Sequence, residues 1–266
     1  MKNFVLGKYL PLDSPIHRVD PRAKIAALFF LIIAVFVPKS WWAFALIGAA
    51  VLLTVFLSKL SIRFVISAFK PMLMMLVFLT AINIFSIRTG DLLVTLGPVK
   101  IYSDAIFNTL FIVTRLLLMI MITTVLTSTT KPLDLTLGLE YLMKPLTALH
   151  FPTHEVAMMI SIALRFIPTI IEETFRIMNS QKSRGVDFEE GSFREKITAI
   201  LSLIVPLFSV AFERAYELAD AMEARGYIPG APRTRYRTLK FRASDFLFMV
   251  LAFLIMAASI ATRFVL

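Results

Sequence analysis

Residues Ala105–Thr127, AIFNTLFIVTRLLLMIMITTVLT, carry a single charge, Arg115, in a run long enough to cross a bilayer. About 20 apolar residues in a helix span the hydrocarbon core. Four more apolar runs accompany this one: Ile25–Val37, Trp41–Leu57, Pro71–Ile87 and Phe246–Thr262. The shorter runs can cross with snorkelling flanks, and the long stem of Lys24 extends the first. Trp41 and Trp42 open the second run, where aromatic belts form. Across the 266 residues 58% are hydrophobic and the mean hydropathy is +0.79, too apolar for a soluble domain of this length. The expected fold is an all-α polytopic membrane protein with about five transmembrane helices and a cytoplasmic or interfacial helical region.

Basic residues set the orientation. Lys2, Lys8, Arg18, Arg22 and Lys24 precede the first run, only Lys39 follows it, and Lys59, Arg63 and Lys70 fall in the expected loop after the second. The positive-inside bias places the N-terminus in the cytoplasm. No small-residue cleavage site follows a basic and apolar start, so no cleavable signal peptide is expected. Without cysteine there are no disulfides and no thiolate metal sites. A net charge of +10 suits a surface facing anionic lipid. Because the basic residues are interleaved with Glu and Asp, nucleic acid is a poor partner.

The region 131–242 departs from this pattern. It holds 15 of the 28 basic and 13 of the 18 acidic residues, yet contains two further apolar runs, Val156–Ile171 and Ile197–Phe212. If both crossed the membrane, Arg176, Lys182, Arg184, Arg194 and Lys196 would be exported together, against the positive-inside bias. Two long cytoplasmic or interfacial helices are expected instead, each greasy at its start and polar at its end. Pro168 and Pro206 should kink or break them. The chain then divides into an N-terminal segment with four transmembrane helices (1–130), a cytoplasmic region (131–242) and a C-terminal transmembrane helix (243–266). At the start of the middle region, Pro132 should open an amphipathic helix with Leu135, Leu139 and Leu142 on one face, lying along the membrane surface.

The two polar helix ends repeat each other. Shifted by 41 positions, Glu172 falls on Glu213, Phe175 on Tyr216, and Ser183-Arg184-Gly185 on Ala224-Arg225-Gly226. Gly suits the left-handed position that stops a helix, and Arg suits the negative end of the helix dipole. Either copy alone reads as an ordinary cap; two matching copies read as paired plugs for two similar sockets.

Support for catalysis or metal binding is thin. His154-Glu155 begins like a zinc-protease helix, but Met158 stands where the second histidine belongs, and Pro152 separates His150 from His154. The chain lacks a G-x-x-x-x-G-K-S/T phosphate loop and a paired acidic motif at a span end. Arg115, in the middle of a span, must turn into the bundle or towards a partner. The methionines, Met74, Met119 and Met159 among them, suit a core or a surface that re-packs against several partners.

Several motifs resemble the transmembrane T component of energy-coupling factor transporters, a branch of ABC importers. They are Asp13–Lys24, Thr129-Thr130-Lys131-Pro132-Leu133, Ile160–Pro168, and Gly226-Tyr227 followed by Arg233-Thr234-Arg235-Tyr236-Arg237. The two Arg-Gly ends correspond to that family's coupling motifs, and the resemblance covers nearly the whole chain. It implies a non-catalytic scaffold without a cofactor of its own, in the bacterial cytoplasmic membrane. It further implies two ATPase partners, often non-identical, that bind the ATP and seat on Ser183, Arg184, Gly185 and on Ala224, Arg225, Gly226. A membrane-embedded substrate-binding S component would complete the assembly and confer the choice of vitamin. Ser161, Ala163 and Ser202 are the expected points of close approach to it, because small side chains decide packing between membrane helices. Two other readings remain: an intramembrane lipid-modifying enzyme using Arg115, His150 and His154, and a self-contained secondary transporter.

Overall fold

A computed structural model describes residues 9–37, 40–96, 99–149, 151–229 and 239–265. The chain is an almost wholly helical polytopic membrane protein. Its helices are α1 (Pro21–Phe36), α2 (Trp41–Leu57), α3 (Ile62–Phe69), α4 (Leu73–Ser86), α5 (Ser103–Thr129), α6 (Pro132–Met143), α7 (Thr153–Ser183), α8 (Phe193–Ala224) and α9 (Ala243–Val265). The described residues form two compact units, one drawn from 9–142 and 239–265, the other from 143–229.

Five helical stretches are long and apolar enough to cross a membrane: Ile62–Ser86, Ser103–Thr129, Thr153–Ser183, Phe193–Ala224 and Ala243–Thr262. Three of them overlap expected spans. The expected first and second spans are shorter helices of 16 and 17 residues. The other two qualifying stretches are α7 and α8, which continue as single helices through Pro168 and Pro206, so neither proline breaks its helix. Missing one N–H each, the prolines are absorbed as interruptions of one ladder bond within 31 and 32 helical residues.

One further expectation needs correction. Arg63 and Lys70 do not lie in a loop: α3, a 3₁₀ turn at Lys70–Met72 and α4 make one continuous helical run. Pro71 takes an early position in the 3₁₀ turn, where its absent N–H is tolerated. The connection from α4 to α5 is an antiparallel hairpin, β1 (Leu92–Leu96) with β2 (Val99–Tyr102).

In the first unit, α1, α2, α5 and α9 pack around Ala34, Val35, Phe44, Ile47, Val51, Leu118 and Ile122. At the end of the bundle where α1 begins, Ile16, Val55, Leu60, Val65 and Val125 form a second cluster. A polar lock sits at the same end. Asp20 caps α1, its side chain accepting from Arg22 N at 2.9 Å, while its own N–H donates to Asp245 Oδ1 at 2.9 Å. Asp245 Oδ2 accepts from Arg242 N at 2.7 Å, which caps α9. Lys24 Nζ donates to Thr129 O at 2.9 Å and Thr130 Oγ1 at 3.1 Å, tying α1 to the end of α5. The Arg22 guanidinium lies 3.5 Å over the Tyr141 ring of α6. Asp20, Lys24 and Asp245 are all buried.

Helix α6 begins at Pro132 as expected, but its buried positions are Thr136 and Gly138, whereas Leu139 and Leu142 are exposed. A Cβ at Gly138 would meet Ile25 Cδ1 at 3.1 Å and Pro21 Cβ at 3.1 Å. Close approach of α6 to the start of α1 therefore selects the small residues for the inside, and the leucine stripe faces out.

Candidate functional site

The Arg-Gly ends of α7 and α8 are the same structure. Gly185 N donates to Lys182 O at 3.0 Å and Val186 N to Gln181 O at 3.0 Å. Shifted by 41, Gly226 N donates to Glu223 O at 2.8 Å and Tyr227 N to Met222 O at 2.9 Å. Each pair of bonds is a Schellman closure, which satisfies carbonyls that a helix end leaves orphaned. Arg184 and Arg225 close their helices at φ −90°, and Gly185 and Gly226 follow at φ +87° and +73°. Only glycine adopts that left-handed backbone freely. A Cβ at either glycine would meet nothing within 4 Å, so the space beside each cap glycine is open. Both arginines are exposed. Ser183 bonds back to Asn179 O at 3.1 Å, and Ala224 ends α8 at the matching place.

Two contacts fix how α7 and α8 meet. Gln181 Nε2 donates to Ser202 O at 3.2 Å. Glu173, buried between the helices, faces Arg214 Nη2 and Arg176 Nη1, each at 3.6 Å. Residue numbers rise along α7 as they fall along α8, so the pair is antiparallel and the two arginine caps lie at opposite ends. At 1.5 Å of rise per residue their separation along the pair is on the order of 35 Å. In the connecting loop, the backbone N–H groups of Glu189 and Glu190 bond Asp187 Oδ1 at 2.8 and 3.2 Å and hold that carboxyl below the usual range. Ser192 and Glu195 form a reciprocal capping box that starts α8.

The pair carries a wide unpartnered apolar surface. Ile197, Leu201, Ile204, Phe208 and Phe212 recur at helical spacing on α8 and are exposed, as are Met159, Ile167 and Phe175 on α7. The small residues expected at close approach are not brought together. Ser202 carries the bond to Gln181 near the Arg184 end, whereas Ser161 and Ala163 lie towards the opposite end of the pair. Ser161 bonds its own helix at Ala157 O, 2.8 Å away, and Ala163 is exposed.

No cluster of three or more potential metal ligands occurs among the described residues. His150 and the Arg233–Arg237 motif fall outside them. Arg115 lies beside Phe36, the last residue of α1, with its guanidinium carbon 5.8 Å from the ring centroid. Its Nε is buried without a hydrogen-bond partner. The middle of α5 is therefore level with the end of the shorter α1. The residues missed by sequence reasoning are those of the lock. Asp-Pro before a helix signals an N-cap, which could have marked Asp20; nothing local pairs it with Asp245, 225 residues away.

Residues 13–236 match the family model described as cobalt transport protein. The chain is 44% identical over 245 residues to the energy-coupling factor transporter transmembrane protein of Listeria innocua, covering 92% of each chain. Its counterpart from Bacillus subtilis is 42% identical, again with 92% of each chain covered. A third relative of that description, from Streptococcus equi, is 42% identical over 94% of this chain and 93% of its own. Similarity of this extent, running through the bundle and both arginine caps, makes the chain a member of the energy-coupling factor transporter transmembrane protein family.

Proposed function

We propose that this chain is the non-catalytic scaffold of a vitamin or micronutrient importer, carrying the motion of two ATPase subunits to a substrate-binding S component in the bacterial cytoplasmic membrane. Its family membership supports a place in a transporter complex. The observation that carries the coupling role is the pair of identical, exposed Arg-Gly caps at opposite ends of one antiparallel helix pair. Two similar sockets on two similar, non-identical ATPases fit such a pair. Arg184 and Arg225 are the anchors, because a planar guanidinium can hold a carboxylate or carbonyl groups through two bonds at once. Ser183 and Ala224 keep the approach narrow, and Gly185 and Gly226 end each helix without adding bulk.

On this reading 131–242 lies on the cytoplasmic side, between the membrane segments 1–130 and 243–266, and ATP is bound by the partners alone. When the ATPases move relative to each other, the anchored ends of α7 and α8 follow, and the apolar surface offered to the S component changes. Ser161, Ala163 and Ser202 mark its points of close approach. Native mass spectrometry of the complex taken from its own membranes tests the assembly. We expect one copy of this chain with two ATPases and one S component. Enzymatic turnover of lipid by the isolated chain would instead support the intramembrane enzyme. Ala163→Trp should weaken S-component capture while sparing the ATPases; equal loss of both would mean the helix pair had been disrupted.

A further inference from the structure

A cleft of about 520 Å³ opens at the end of the bundle where α1 and α9 begin. It lies between the segment before α1, the α2–α3 turn and the first turns of α9. Its rim is cationic, with Arg18, Lys59 and Arg242 set against the single carboxylate of Asp13. Arg18 already engages both oxygens of Asp13, at 2.9 and 2.7 Å. Among the described residues neither the Lys59 ammonium nor the Arg242 guanidinium makes an ion pair; Lys59 shares the field of Asp13 with Arg18, and the three cations exceed the one carboxylate by two charges. The Asp245 carboxylate nearby is 1% exposed and occupied by backbone N–H groups, so it is sealed behind the cleft.

Inward from the rim the wall becomes apolar. On α9, Ser244, Leu247, Phe248 and Leu251 share one face by their spacing and line the cleft. That face passes from a hydroxyl to aliphatic carbon over about 10 Å of a membrane-crossing helix. Leu247 and Leu251 are 60% and 49% exposed, so no described residue covers them. Lys59 adds an independent sign. It closes α2 with φ +56°, a left-handed backbone that glycine takes freely and lysine only at a cost. Strain kept at a charged side chain facing a cleft points to a use for that side chain.

We propose that this cleft binds a phospholipid with an anionic headgroup, taken from the leaflet on that side of the membrane. Its phosphate sits between Lys59 and Arg242, and one acyl chain follows Leu247 and Leu251. A free phosphate could use the rim but not the apolar wall. A lipid uses both, and the wall continues along a helix already in contact with the bilayer.

The test uses the full chain within its purified complex. Bound lipid is counted by native mass spectrometry after incubation with phosphatidylglycerol or with phosphatidylcholine of identical acyl chains. The variant is Lys59→Gly with Arg242→Gln: glycine relieves the strained backbone, and the cap at Arg242 uses only its main-chain N–H. Arg63→Gln, exposed on α3, is the control. We expect the complex to retain phosphatidylglycerol over phosphatidylcholine. Retention should fall on the order of tenfold or more in the double variant, at about fivefold per basic residue near a membrane surface, and stay unchanged in the control. A photo-crosslinker at position 247 should capture lipid. Equal retention of both lipids, equal retention by the double variant, or a crosslink from position 247 to a protein would overturn the proposal.

Discussion

In the bundle three charged side chains at the end where α1 and α9 begin turn inward; in the α7–α8 pair most charged side chains turn outward. Asp20, Lys24 and Asp245 are buried and bonded to backbone or hydroxyl groups of α1, α5 and α9. Glu173 is the one buried acid of the pair, and the arginines at both helix ends are free to meet something else. Apolar groups differ in the same sense. The bundle encloses a contiguous core, while α8 leaves Ile204, Phe208 and Phe212 uncovered. A buried polar lock fixes one arrangement, because breaking it leaves unpaired charge. Open apolar rods with charged tips can adopt more than one arrangement, as a coupling element must. On the proposed function, the difference separates a part built to stay from a part built to move.

The largest effect should come from breaking the lock. Lys24→Met leaves the buried Thr129 carbonyl and Thr130 hydroxyl without their charged donor and should cost about 1.5–3 kcal/mol. Thermal unfolding of the purified chain in detergent reads this as a large fall in Tm. A loss below about 1 kcal/mol would mean that water reaches the lock, and would remove the contrast between the two regions. In the pair, Gly185→Ala or Gly226→Ala should cost roughly 1 kcal/mol each, confined to the last turn. Space for the added methyl is open, so the penalty is backbone strain alone. Amide exchange should quicken at Val186 or Tyr227 and leave the rest of the helix unchanged. Faster exchange along a whole helix would make the caps part of its stability rather than its tips.

The smallest effect concerns His17, in the segment before α1. Its Nε2 donates to Leu10 O at 3.0 Å and its Nδ1 meets Ser14 Oγ at 2.7 Å, an arrangement suited to the neutral ring. Burial pushes its pKa below the ordinary value of 6.5. The unfolded chain therefore takes up the proton first. Stability is full above about pH 6.5 and declines as pH falls through the lower folded value. His17→Gln should flatten that decline in a pH series of unfolding curves. An unchanged slope would assign it to other groups.

Much of this was legible in the sequence, for physical reasons that can be named. Apolar runs report helices because the bilayer demands them, and the 41-residue repeat reports two identical caps because Schellman closure needs Gly at one place. What stayed hidden depends on contacts between distant residues. Local pattern does not pair Asp20 with Asp245, nor does it bring Gly138 rather than Leu139 against Pro21. Prolines misled in the other direction. Pro71, Pro168 and Pro206 all sit inside helical runs, since one missing bond is a small part of a long helix. The caps were found in advance, but their place at opposite ends of an antiparallel pair required the Glu173–Arg214 and Gln181–Ser202 contacts.

The proposed coupling role rests on Arg184 and Arg225. The decisive measurement is co-purification of ATPase subunits with Arg184→Ala, Arg225→Ala and the double variant, each also made as Arg→Lys. Truncating one partner of a buried, hydrogen-bonded charge pair costs about 2–5 kcal/mol, whereas an exposed helix-end charge contributes about 1 kcal/mol or less. Each single Ala variant should weaken capture, the double variant should abolish it, and Lys should fail to restore it because an ammonium lacks the planar fork. A double variant that still holds both ATPases and supports normal uptake would contradict the coupling role and leave the two arginines as helix caps.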